Sequence, residues 1–294
     1  MSRIWRRGFQ LSVVLFLSVS ASAQITDLTN WTLIEDPPNT LMNASVTPGA
    51  ATLTAGNGTI PIATDIGYAS INGEDVAYST AGFYFDPGSD FVAAVDYDLS
   101  FADTPQASGG LAVGFGLGED LDGTDSAGFT ALIQKTGANT LGSLVTAART
   151  DNDSAGETIL SFTPIATGSM FVAYAANTGS VTASFSPLPG INTPGSGAAA
   201  TTFIGLQNNW DDEGLILSFF LRSQNLSGNP TWTAGDATAV FSNLRVISGT
   251  PVAVPEPTSA ASLLASSAGL MLRRRASSTR PSAAFLLLLR PGVA

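Results

Sequence analysis

Carboxylates dominate the residues of this chain that could do chemistry. Glu119-Asp120-Leu121-Asp122-Gly123-Thr124-Asp125 crowds acids around a glycine turn, and Asp151-Asn152-Asp153, with Glu157 after Gly156, repeats the arrangement. Hard oxygen ligands held in loops suit Ca2+, so Asp120, Asp122, Asp125, Asp151, Asp153 and Glu157 are its candidate ligands. Neither loop completes an EF-hand, because the closing bidentate glutamate is missing at the required offset. The competing reading of both is a solvated hairpin. A third segment, Asn208-Asn209-Trp210-Asp211-Asp212-Glu213, sets an indole among amides and carboxylates. An exposed tryptophan so flanked stacks on a sugar ring and bonds its hydroxyls, which makes Asn208, Asn209, Trp210 and Asp211 candidate carbohydrate ligands. Its alternative is an indole folded back onto the edge of the core.

Other chemistry is closed by composition. The chain has no histidine and no cysteine, which removes Ser-His-Asp triads, thiolate nucleophiles and the usual zinc, copper and non-haem iron ligands. Carboxylate chemistry stays open. Asp96 and Asp98 share one face of a strand, but no third carboxylate is in step with them, and they read as solvated outer-face residues. No catalytic residues are assigned, and the expectation is a protein that is not an enzyme.

Both ends of the chain read as address labels. Arg3, Arg6 and Arg7 precede an apolar run from Leu11 to Val19, and Ala21-Ser22-Ala23 supplies the small residues at which signal peptidase cuts. Residues 1–23 are therefore read as a signal peptide and Gln24 as the mature start. At the other end, Pro255-Glu256-Pro257 keeps the chain extended within a linker spanning 251–257. An uncharged segment from Thr258 to Leu272 follows, then Arg273, Arg274 and Arg275. That segment falls short of the roughly 20 residues of a full span, which snorkelling arginines help to extend.

The body between the labels holds 22 acidic residues against Lys135, Arg149, Arg222 and Arg245. Such a surface repels phosphates and anionic headgroups, which excludes nucleic acid as a partner. It keeps an exported protein soluble, and it also attracts cations.

What must position these residues is an all-β body. From Phe91 to Phe101 the odd positions are apolar while Asp96, Asp98 and Ser100 face the other way. Further strands are expected at 110–117, 127–134, 140–148, 158–162, 170–176, 180–186, 201–207, 215–222 and 237–247. Loops are expected at Asp65 to Ser79 and at Pro187 to Ala200, the latter mobile. One domain over 24–250, an antiparallel β-sandwich or jelly roll, accounts for this pattern.

The tail resembles the PEP-CTERM sorting domain of bacterial exported proteins, carried here by Pro255, Glu256, Pro257 and Arg273 to Arg275, with a hydrophobic sorting helix over 258–275. The resemblance implies processing by an exosortase, transient membrane anchoring, and delivery to the cell surface or extracellular matrix. Residues 276–294 lie beyond the usual end of such domains. In the body, Trp31, the strand Phe91 to Phe101, Gly109-Gly110, the Tyr174 to Ser184 hairpin and Phe241-Ser242-Asn243-Leu244-Arg245-Val246 resemble the concanavalin A-like lectin and glucanase sandwich. That resemblance implies sugar binding, adhesion or, in some branches, glycoside hydrolysis. Laminarinase-like members carry a Glu-x-Asp-x-x-Glu run, and this chain has none. The expectation is non-enzymatic binding of extracellular polysaccharide, with Ca2+ as the possible cofactor. The alternative is a carboxylate-based glycan hydrolase or lyase on the same fold.

Overall fold

The computed structural model describes residues 23–254, apart from 62, 103–107, 120, 122, 124, 137–138, 152, 211–213, 225–230 and 235. The predicted signal segment up to Ser22, with Ala21, and everything from Pro255 onward, including the sorting helix and Arg273 to Arg275, lie outside the described residues.

The early strands are β1 (Ala23–Gln24), β2 (Thr32–Asp36), β3 (Met42–Thr47), β4 (Ala50–Ala55), β5 (Gly58–Pro61), β6 (Asp65–Ala69) and β7 (Phe83–Tyr84). The long central strands follow as β8 (Phe91–Phe101), β9 (Ser108–Gly118), β10 (Ser126–Thr136), β11 (Asn139–Thr150), β12 (Asp153–Ser161) and β13 (Thr167–Ala175). The chain closes with β14 (Ser180–Ser186), β15 (Ala200–Phe203), β16 (Ile216–Ser223), β17 (Thr231–Ala234), β18 (Ala237–Ser248) and β19 (Val252–Ala253).

They form two large antiparallel sheets and a small pair of β7 with β19. One runs β15-β14-β13-β8-β18-β4-β3, with β1 on β18; the other runs β12-β11-β10-β9-β16-β6-β2, with β17 and β5 attached. Among the described residues the helical pieces are two 3-10 turns, Gly197–Ala199 and Leu206–Asn209. The core lies between the sheets because each central strand sends every second residue inward. Leu111, Val113, Phe115 and Leu117 of β9 meet Tyr97, Phe185 and Phe241 from the opposite layer. Aromatic rings bridge the layers, with Phe219 stacked on Phe241 at 4.7 Å and Phe129 on Phe185 at 5.2 Å. Such pairs add to the burial of their large apolar area. Trp31 joins this core against Phe219.

Four expectations change. Asp65 to Ser79 begins not with a loop but with β6, placed between β16 and β2. Its Gly67 permits a close approach, since a β-carbon there would stand 2.2 Å from the Phe219 carbonyl oxygen. The strand expected at 201–207 ends at Phe203, because Gly205 turns at φ 70° into the second 3-10 turn. Asp96 is buried, not solvated, and the loop after Pro187 is tied down over it.

That burial has a local cause. Asn243 adopts φ 51°, a conformation asparagine tolerates, and opens a bulge in β18 between Ser242 and Arg245. The bulge turns Arg245 onto Asp96 at 2.9 Å, with 2% and 9% of their side chains exposed. Asp96 also accepts from Ser169 Oγ, Asn243 Nδ2 and the Gly190 N–H, while Arg245 donates to the Asn192 side chain and the Ile191 carbonyl. The segment after Pro187 is thereby fastened across the outer face of its sheet. Packing also continues past residue 250, since Val254 is buried and its N–H donates to the Gly82 carbonyl at 3.0 Å.

Candidate functional site

The sheet containing β9, β10 and β16 turns its other face to a groove of about 200 Å³. The floor follows from a period-two pattern. Gly114, Gly116 and Gly118 alternate with the core residues of β9, and Gly128 of β10 stands opposite Gly116. At Gly116 and Gly128, which have no side chain, the backbone itself forms the surface. On the other side of β9, Ser218, Phe220 and Arg222 of β16 face Gly116, Gly114 and Ala112. The Phe220 ring lies across Gly114: a β-carbon built there would stand 2.2 Å from the ring's Cζ.

Arg222 sits over this ring, its guanidinium carbon 5.1 Å from the centroid. Its Nε and Nη2 donate to the two carboxylate oxygens of Asp65, a bidentate pair formed across β16 and β6. Asp36 is the cross-strand partner of Asp65 on β2, so two acids and one cation form a row. Burial opposes the Arg222 charge, but the bonds and charge of Asp65, together with the charge of Asp36, outweigh it and raise the guanidinium pKa. Arg149 and Ala147 of β11 line the far side, and Leu121 and Gly123 close one end. The Ser126, Thr130 and Ser218 hydroxyls complete a surface that combines an aromatic face with hydrogen-bonding groups.

The predicted calcium loops are brought together at that end. Gly118 pairs with Ser126 to close the first, and the Asp151 N–H donates to Asp125 Oδ1 at 2.9 Å. Asp151 turns at φ 51° between β11 and β12, while Asp153 and Glu157 are exposed on β12. Asp120 and Asp122 lie outside the described residues. Among the described residues, no three acids gather in a position to hold one metal ion.

Of the two readings of the tryptophan segment, the inward-folded indole is the one found. Trp210 is 4% exposed and belongs to the main core, so its ring is not offered to a sugar. The second 3-10 turn, containing Asn208 and Asn209, folds the indole inward, and the main-chain N–H of Trp210 closes on the Gln207 carbonyl. Asp211 lies outside the described residues. Phe220, Arg222, Asp65 and the glycine floor were not singled out from sequence. The available signals were the Gly-x-Gly-x-Gly spacing of 114–118 and the scarcity of cations, since Arg149 and Arg222 are two of the four in the body.

No family model matches this chain, and no curated protein sequence does. Among solved structures, an alginate lyase from Klebsiella pneumoniae is similar over 71% of this chain and 85% of that one, at 13% identity and TM-score 0.42. An endo-1,3-beta-glucanase from Streptomyces sioyaensis covers 81% of this chain and 100% of its own, at 9% identity and TM-score 0.39. Peanut lectin covers 79% and 99%, at 11% identity and TM-score 0.39.

Proposed function

We propose that this is an exported cell-surface or extracellular-matrix protein that binds polysaccharide in the β9–β10–β16 groove without cleaving it. The observation that carries this reading is Phe220, a half-buried ring that lies across Gly114 beside Arg222, Ser218 and Thr130. A sugar ring offers apolar C–H groups and a rim of hydroxyls, and the exposed part of the Phe220 ring and the hydroxyls around it offer a counterpart to both. Binding is favoured over cleavage by the state of Asp65, whose two oxygens are committed to Arg222. A glycosidase needs two carboxylates free to act on the scissile bond.

Calcium belongs to the same proposal as a brace. The Asp125 to Asp151 bond joins the two acidic loops at the groove's end, and an ion held there would fix Leu121 and Gly123. Sorting belongs to it through the tail: Val254, docked by its N–H on the Gly82 carbonyl, immediately precedes Pro255-Glu256-Pro257. An exosortase cut at that element would release a sandwich with its packing intact. Retention of the purified protein on insoluble polysaccharides, with assay for released reducing ends, tests the reading. Retention without release supports it, and release would favour a glycan hydrolase or lyase.

A further inference from the structure

We propose that the groove selects uncharged glycan chains, and that Asp65 imposes the selection by occupying Arg222. The inference rests on the carbohydrate reading above and names the class of chain. An arginine beside an aromatic ring is the usual hook for a carboxylate or sulfate, because its fork presents parallel donors. In this groove the fork is taken. Nε and Nη2 of Arg222 both lie on Asp65, whose side chain is 15% exposed beside an arginine that is 30% exposed. A uronate reaching Arg222 must displace a carboxylate already held in good geometry.

The surrounding charges act in the same direction. Asp36 stands opposite Asp65 in the β2–β6 register, so an anionic chain meets a second acid beside the first. Among the described residues lining the groove, Arg149 and Arg222 are matched by Asp36 and Asp65, which leaves no net positive field. The loop that supplies Leu121 and Gly123 carries only acids among its charged residues from 119 to 125. The body's 22 acids against four bases add a longer-range repulsion, screened over about 10 Å at moderate salt. Neutral chains meet none of these costs and still find Phe220 and the hydroxyls of Ser126, Thr130 and Ser218.

The test is affinity electrophoresis of the purified protein through gels containing a soluble neutral β-glucan or alginate, at low and high salt. The neutral glucan should retard the wild type equally at both salts, and alginate should not retard it. Asp65→Asn frees the fork and should gain alginate affinity by about tenfold at low salt, the scale of a charge-assisted bond, and lose that gain at high salt. Should Asp65→Asn fail to fold, Asp36→Asn, at an exposed position, should give a smaller gain in the same direction. Salt-sensitive retardation of the wild type by alginate overturns the proposal, as does the absence of any gain in a folded variant. Absence of retardation by every polysaccharide overturns the carbohydrate reading and this proposal with it, an outcome distinct from alginate binding.

Discussion

The ring of Phe220 lies on the backbone of Gly114 closely enough that a β-carbon there would stand 2.2 Å from Cζ. The aromatic face of the groove therefore depends on a residue in another strand having no side chain. Gly114→Ala should displace the ring, cost about 1–3 kcal/mol as overpacking does, and weaken polysaccharide retention. Thermal unfolding and retention measured together check this; an unchanged melting temperature would mean that the ring moves aside freely.

Trp210 and Phe220 should separate stability from binding. Trp210→Ala removes a core indole and should cost about 3–5 kcal/mol while leaving retention per folded molecule unchanged. Denaturant unfolding of the variant, followed by a binding assay at a temperature where it is folded, reads both quantities. Lost retention in a folded Trp210→Ala protein would return the 208–211 segment to the binding site.

Asp96 and Arg245 should behave as a buried pair. Arg245→Met leaves the Asp96 charge without its main partner and should destabilise by about 3–5 kcal/mol. It should also loosen 188–192, because the Ile191 carbonyl and the Asn192 side chain lose their donor. Proteolysis confined to that segment is the expected readout, with the Asp96→Leu, Arg245→Met double variant recovering much of the loss.

How much of this was legible in the sequence depends on which face a residue serves. The strands Phe91–Phe101 and Ser180–Ser186 appear at their expected limits because a run of large inward residues fixes the period. The strand Asp65–Ala69 was hidden because its groove face is built from Asp65 and Gly67, residues that also signal loops. Burial of Trp210 is one of the two readings its segment allows, whereas burial of Asp96 was illegible, because the chain that covers it follows a path that a period-two pattern does not specify. Arg222 and Asp65 are 157 positions apart, and no local spacing relates them.

Alkaline pH should destabilise the sandwich through Tyr97. Burial raises its phenol well above the ordinary range, and the hydroxyl donates to the Ile165 carbonyl at 2.8 Å. A folded pKa above the unfolded value of about 10 means this contribution is whole below pH 10 and is lost as pH rises toward the folded pKa. Tyr97→Phe should cost about 1 kcal/mol at neutral pH and flatten the alkaline limb of the stability curve. A limb of the same slope in both proteins would place the titration elsewhere.

Calcium should act on the loops at the groove's end. Added Ca2+ should raise the melting temperature, chelator should reverse the rise, and Asp125→Asn should abolish it. An identical melting temperature with Ca2+ and with chelator would remove the ion from the account.

The most direct measurement of the central claim is calorimetric titration of the purified protein and its Phe220→Ala variant with soluble neutral glucan oligosaccharides. The wild type should bind saturably and the variant, measured at a temperature where it is folded, should lose at least about tenfold in affinity, the scale of a lost aromatic contact. Equal affinity in the two proteins would contradict it.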